Sequence, residues 1–189
     1  KTPFMIRCFY MKGKRLAFID LETTGLNPYS NEIIEIGCLI AKQNERGEWV
    51  TVDEFEFKVK PNHIETAQQD ALRINRYDEA DWMFAHTQEE ALKTLSQKCD
   101  GCVMAGQNVC FDYAFLVTKF GEYKIKDPFF FAKLDTISLA YMRFRKDETM
   151  TNFSLRELCE RLGIKNEKAH SALADIRATF EVFKRLMVI

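Results

Sequence analysis

Asp20 and Glu22 stand two residues apart at the end of an apolar run, Leu16-Ala17-Phe18-Ile19, in the stretch Asp20-Leu21-Glu22-Thr23-Thr24-Gly25-Leu26-Asn27. Alternation along a strand points both carboxylates to one face. Side by side they repel and raise each other's pKa, so the pair calls for a cation between them. Two more acids are attached to elements that read as buried: Asp112, in the first turns of a helix that starts directly after a strand, and Asp175, beside the apolar stripe of the last helix. His170 precedes Asp175 by five residues, ~140° around a helix, so the two do not share a face. His170 is therefore placed on the loop leading into that helix. Next to an acidic metal site, such an imidazole is a candidate base for taking a proton from water.

The elements that must hold these residues are legible in outline. Leu16 to Leu21 reads as a buried central strand broken by Gly25 and Pro28, Ile33 to Ala41 as a second strand, and Trp49 to Val59 as a third after the turn Asn44-Glu45-Arg46-Gly47. Together they form an antiparallel meander. Pro61 to Trp82 is mixed, with a short helix around Ala67 to Ile74. Thr87-Gln88-Glu89-Glu90 is a capping box that opens a helix ending near Asp100-Gly101, and a strand follows from Cys102 to Ala105. The next helix runs from Val109 to Phe120, with Asn108 as its N-cap and Gly121 as its stop. Lys133-Leu134-Asp135 reads as a short strand and Thr136 to Phe144 as a helix with Asp135 as N-cap. Ser154-Leu155-Arg156-Glu157 is a second capping box, before a helix that stops at Gly163. The last helix carries Leu173, Ile176, Phe180, Phe183 and Met187 as its stripe. Strands first, then strands alternating with helices, imply an α/β domain with a mixed central sheet flanked by helices.

At 189 residues and 47% apolar content the chain fits one domain with a sizeable core. The expected unit spans residues 1–189, with a core of about 16–187 and an N-terminal extension at 1–15. A net charge of -1 means that polyanions must be held by local patches and not by the whole-molecule field. The opening apolar stretch Phe4 to Met11 is too short and interrupted for a signal or membrane segment, and Lys1 in place of Met reads as a fragment or processed chain. Six scattered cysteines favour a reducing, cytoplasmic setting. Only Cys99-Asp100-Gly101-Cys102 has ligand spacing, and without two further ligands it reads as a helix end and turn.

Three motifs, in order, resemble those of the DnaQ-like, DEDD-type 3′-5′ exonucleases, in the subclass whose third motif carries histidine (DEDDh). They are Phe18-Ile19-Asp20-Leu21-Glu22-Thr23-Thr24-Gly25-Leu26, Asn108-Val109-Cys110-Phe111-Asp112-Tyr113-Ala114-Phe115-Leu116, and His170-Ser171-Ala172-Leu173-Ala174-Asp175. Weaker similarity covers Ile33 to Gly37, Leu134-Asp135-Thr136 and Ser154 to Ile164. One departure is Gln107, where many relatives have His. The resemblance implies a ribonuclease H-like fold and hydrolysis of phosphodiester bonds from the 3′ end of single-stranded DNA or RNA, releasing nucleoside 5′-monophosphates. It implies two Mg²⁺ or Mn²⁺ ions: Asp20, Glu22 and Asp175 around the one that activates water, Asp20 bridging to a second, and Asp112 holding that second ion largely through water. Oxygen-only ligand sets suit such hard cations. His170 would deprotonate the water. Glu22, Thr23, Thr24, Gly25, Leu26, Asn108, Phe111 and His170 would contact the substrate, with backbone N–H groups of Thr23 to Gly25 near the terminal nucleotide and Leu26 as an apolar wedge.

Polymerase proofreading or repair, RNA 3′-end trimming and clearing of short oligonucleotides stay open, as do a replication partner and a second copy of the chain. A non-catalytic nucleic-acid-binding adaptor is the reading from another class, and it would predict a missing acid or histidine. Glu35, flanked by isoleucines, is either a support for the site or an outward polar residue. Lys119, Lys124, Lys126, Arg143, Arg145, Lys146, Lys165 and Lys168 could track a phosphate backbone or simply be solvated. Phe129-Phe130-Phe131 and Trp82-Met83-Phe84 could stack bases, though packing is the simpler use.

Overall fold

The computed structural model describes residues 13–166 and 171–187. Five strands, β1 (Leu16–Thr23), β2 (Ile33–Gln43), β3 (Trp49–Lys58), β4 (Val103–Gly106) and β5 (Lys133–Asp135), form one sheet in the order β3-β2-β1-β4-β5. β1, β2 and β3 pair antiparallel, and β4 and β5 join in parallel. The helices are α1 (Gln69–Ile74), α2 (Gln88–Lys98), α3 (Val109–Glu122), α4 (Thr136–Phe144), α5 (Leu155–Leu162) and α6 (Ala172–Met187). This is the expected α/β architecture with a mixed central sheet. Among the described residues no helix is long and apolar enough to cross a membrane.

Alternation divides the central strand between two cores. Ala17, Ile19 and Leu21 pack with residues of α2 and α3, while Leu16 and Phe18 pack with Ile176, Phe180 and Phe183 of α6. Continuing the even positions outward puts Asp20 and Glu22 on the α6 face, past the apolar part of the strand. The same face receives Glu35, Gly37 and Leu39 of β2, and Glu54 and Glu56 of β3. Strand register lines these up in rows, Asp20 opposite Gly37 opposite Glu56, then Glu22 opposite Glu35 opposite Lys58.

Helix ends follow local chemistry in some places and override it in others. At α2 the capping box forms in full between Thr87 and Glu90. At α5 Ser154 accepts from the Glu157 N–H, but the Glu157 carboxylate reaches the N–H groups of Thr151 and Asn152 instead of closing the box. Gly163 at φ 67° ends α5 as expected. Gly121 does not end α3: the helix passes through it, and Lys124 takes the left-handed position at φ 54°. There the Ile125 N–H donates to the Phe120 carbonyl at 2.8 Å, and both side chains join the α3-side core. This apolar closure fixes the stop at Lys124 in spite of its Cβ.

Helix α6 buries two sides and not one. Ile176, Phe180 and Phe183 face the sheet, while Ala178, Val182 and Leu186 pack against α4 and α5. Met187, expected in the stripe, is 48% exposed. Cys99 and Cys102 are buried with a turn at Gly101 between them, and Cys38 Sγ lies 3.8 Å from Cys99 Sγ. They fill core space, as the turn reading expects.

Candidate active site

Asp20, Glu22 and Asp175 each present a carboxylate oxygen within 4.8 Å of the others. Three anionic oxygens that close are a donor set for a hard divalent cation. Burial holds the Asp20 carboxyl well above the usual carboxylate range, with Asp112, Glu22, Asp175 and Glu35 adding repulsion. Burial likewise lifts Glu22 to about 7, with Glu35 and Asp175 contributing. A cation among these oxygens would reverse that penalty.

Asp112 approaches from the opposite side of the sheet. Pairing of β1 with β4 ends at Phe18 opposite Ala105, so the outward edge of β1 beyond that point has no neighbouring strand. Asp112 takes up the edge: its Oδ1 accepts the Leu21 N–H at 3.0 Å. The side chain is buried, and burial lifts its carboxyl to about 8 against the lowering effect of that hydrogen bond. Asp112 is thereby tied to the one residue between Asp20 and Glu22, beside the three-acid cluster but outside it.

Each acid-bearing helix is started by carboxylates from elsewhere in the sequence. The first N–H groups at α3, those of Asn108 and Val109, donate to Asp135 at 3.2 and 3.0 Å. Asn108 occupies the N-cap position as expected, but with a left-handed backbone at φ 59° and no capping bond from its side chain. Asp135 also caps its own helix α4 through the Ile137 N–H, so its expected local role holds and a second is added. At α6, Glu35 Oε1 accepts the Ala172 N–H at 2.8 Å and Glu56 Oε1 the Leu173 N–H at 3.1 Å. Glu35 therefore turns inward onto the helix that carries Asp175, 8% exposed, and is not an outward polar residue. Asn166 adds an amide donor to Asp175 Oδ1 at 2.6 Å.

The Thr23-Thr24-Gly25 turn is tightly tied down. The Thr24 N–H donates to the Glu32 carbonyl at 2.8 Å and its Oγ1 accepts the Glu32 N–H, so Thr24 braces the turn and its N–H is not offered to a nucleotide as expected. Thr23 Oγ1 donates to the Gly25 carbonyl, and Asn75 Nδ2 donates to the Thr23 carbonyl. Gly25 is closely packed: a Cβ there would meet Asn31 Oδ1 at 2.5 Å, and the Asn31 and Gln68 side chains would have to give way. Leu26 projects beyond this brace at 74% exposure, which suits a wedge and excludes a core-capping role. Phe111 is partly buried on Phe115, ring centroids 5.1 Å apart. His170 lies outside the described residues, as does Lys168.

Other candidates separate cleanly. Gln107 binds structurally, accepting from Thr136 Oγ1 and donating to the Phe153 carbonyl, which accounts for an amide at that position. Lys119 is buried and pairs with the Glu122 carboxylate at 2.9 Å, so it is not a solvated cation. Phe129 and Trp82 are core residues, whereas Phe131, Met83 and Phe84 are exposed. Sequence reading missed the long-range roles of Glu56, Asp135 and Asn166. For Glu35 a signal was present, a lone charge inside an otherwise apolar strand.

Comparison with known proteins supplies a family. A family model described as exonuclease (RNase_T) matches residues 17–183. Ribonuclease T of Wigglesworthia glossinidia brevipalpis is 28% identical over 179 residues, covering 87% of this chain and 80% of that protein. Ribonuclease T of Vibrio vulnificus (strain YJ016) is 29% identical over 180 residues, with the same coverage of 87% and 80%. Among solved structures, E. coli exonuclease I in complex with a dT13 oligonucleotide superposes with a TM-score of 0.76 over 93% of this chain and 41% of that one, at 18% identity. That likeness shows the shared fold, over less than half the length of exonuclease I. Since the family match runs through β1, α3 and α6, the elements that carry all four acids, the chain belongs to the exonuclease family RNase_T and is a DnaQ-like 3′-5′ exonuclease dependent on divalent metal.

Proposed function

We propose that Asp20, Glu22 and Asp175 hold the divalent cation of this exonuclease, and that Asp112 and Asp20 hold a second, both Mg²⁺ or Mn²⁺. The single observation that carries this is the approach of three carboxylate oxygens to within 4.8 Å at the end of a central strand. When bound, two such ions supply charge to the attacking and leaving oxygens of an in-line displacement. Asp112 anchors one oxygen on the Leu21 N–H, which leaves the other for the site. His170 takes the proton from the attacking water. Leu26 packs on the 3′-terminal base, Phe111 and Asn108 line the neighbouring wall, and Glu22 accepts from the terminal 3′-hydroxyl. The braced Thr23-Gly25 turn fixes the height at which the last nucleotide sits.

For the substrate we favour the 3′ ends of single-stranded RNA, released as nucleoside 5′-monophosphates. The relatives at 28 and 29% identity are ribonucleases T, whereas the neighbour bound to dT13 shares only 18% identity. A near-neutral net charge suits a low, local affinity for short single strands. The test is a panel of end-labelled single-stranded RNA, single-stranded DNA, mismatched duplex and dinucleotides, compared by kcat/KM with Mg²⁺ and Mn²⁺. Release of mononucleotides that needs either metal and vanishes in Asp20→Ala is expected, with RNA preferred. Binding of single strands with no release under either metal would sink the enzymatic reading, and a preference for DNA would redirect it to repair or proofreading.

A further inference from the structure

Of the acids on the α6 face of the sheet that the proposed chemistry does not use, two, Glu35 and Glu56, point at the start of the helix that carries Asp175. Glu35 accepts the Ala172 N–H at 2.8 Å, and Glu56 accepts the Leu173 N–H at 3.1 Å and the Ser171 hydroxyl at 3.3 Å. Between them in β2 lies Gly37, where a Cβ would stand 2.5 Å from the Ala172 backbone carbon. The first turn of α6 thus rests directly on the strand, and Gly37 pairs with Asp20 in the neighbouring strand. One turn on, the Asp175 N–H closes onto the Ser171 carbonyl at 3.0 Å, which carries the placement of the first turn through to the acid. A second tether lies farther along, where the Arg177 guanidinium meets the Glu54 carboxylate. Carboxylates at a helix N-terminus satisfy otherwise unpaired N–H groups and meet the positive end of the helix dipole.

We propose that Glu35 and Glu56 are positioning residues that seat the N-terminus of α6 on β2 and so set the distance of Asp175 from Asp20 and Glu22. Neither residue is in the three-acid cluster; each acts through the backbone of α6. The proposal rests on the reading of Asp20, Glu22 and Asp175 as metal ligands. Glu35 binds the first N–H of the helix from a nearly buried position, so it is the stronger anchor, and exposed Glu56 the weaker.

Amide hydrogen exchange of the full chain without metal reads the seat directly. Glu35→Ala is expected to speed exchange about fivefold at Ala172 to Asp175, the loss typical of a missing cap, with α3 amides unmoved. Calorimetric Mn²⁺ binding is expected to weaken about tenfold in the same variant, as for residues that support a metal ligand. Glu35→Gln keeps an oxygen for the Ala172 N–H and is expected to recover most of both effects. Glu56→Ala, at an exposed position that does not endanger folding, is expected to show the same pair of changes at smaller size. Unchanged exchange and unchanged Mn²⁺ binding in Glu35→Ala and Glu56→Ala overturn the proposal. So does a Glu35→Gln variant as defective as Glu35→Ala. Asp175→Asn is the separate control: wild-type Mn²⁺ affinity there would defeat the ligand reading, while the exchange data would still decide whether the two glutamates seat the helix.

Discussion

Helices α3 and α6 carry Asp112 and Asp175 to the same strand end from opposite faces of the sheet, and the two are fastened differently. At α3 one carboxylate, Asp135, takes two N–H groups and also caps α4, and Asp112 is then tied to the β1 edge through the Leu21 N–H. At α6 two carboxylates share the task, and close contact at Gly37 replaces the strand-edge bond. Asp112 is therefore fixed on the sheet by its own side chain, whereas Asp175 is brought to the sheet by the seat of its helix.

The largest expected effects come from the acids themselves. Asp175→Asn and Asp112→Asn should each lower turnover on the order of 10³-fold. They should differ in stability. In Asp112→Asn the side-chain carbonyl would still accept from the Leu21 N–H while a buried acid is removed, so its thermal unfolding should occur at or above the wild-type temperature. A clear drop would mean that the charge, and not the hydrogen bond, anchors α3.

Next in size is the contrast between two glycines. Gly37→Ala forces a Cβ against the Ala172 backbone and should cost about 1–3 kcal/mol with weakened metal binding. Gly121→Ala, inside α3 with open space around it, should stabilise by about 0.4–1 kcal/mol. Denaturant titration of both checks the sign. Equal behaviour would remove the contact seat from α6.

Asp135→Ala uncaps α3 and α4 together and should cost about 1–2 kcal/mol per helix, measured by the same titration. A loss no larger than that of a single cap would mean that only one of its two roles matters.

A further effect follows from pH. Glu22 and Asp112, at about 7 and about 8 in the folded metal-free chain, lie above their unfolded values of 4.5 and 3.8. Between those limits the folded state holds more protons than the unfolded state, so metal-free stability should fall as pH rises from about 4 to 8. Saturating Mn²⁺ should flatten this slope. A thermal midpoint in chelator that rises over that range would contradict the raised acids.

Much of this arrangement is visible in the chain. Apolar alternation placed Asp20 and Glu22 on one face, and the family resemblance placed Asp112 and Asp175 with them. The mixed character of the sheet followed from three meandering strands and two strand-helix units. The start of α3 at Val109 was legible, but the groups that cap α3 and α6 were not, because Asp135, Glu35 and Glu56 lie 26 to 137 residues from the N–H groups they bind. Local cap patterns therefore gave Asn108 its N-cap position but not the absence of a side-chain capping bond there. Gly121 misled for a similar reason: the Phe120–Ile125 contact decided the stop, not the residue with the freest backbone. Thr24 was expected to offer its N–H outward, and only the tertiary approach of Glu32 consumed it.

Anomalous scattering from crystals soaked in Mn²⁺ tests the central assignment most directly. The expected result is a peak about 2.2 Å from one carboxylate oxygen each of Asp20, Glu22 and Asp175, lost in Asp175→Asn. A Mn²⁺ peak elsewhere on the protein, with none among these three oxygens, would contradict it.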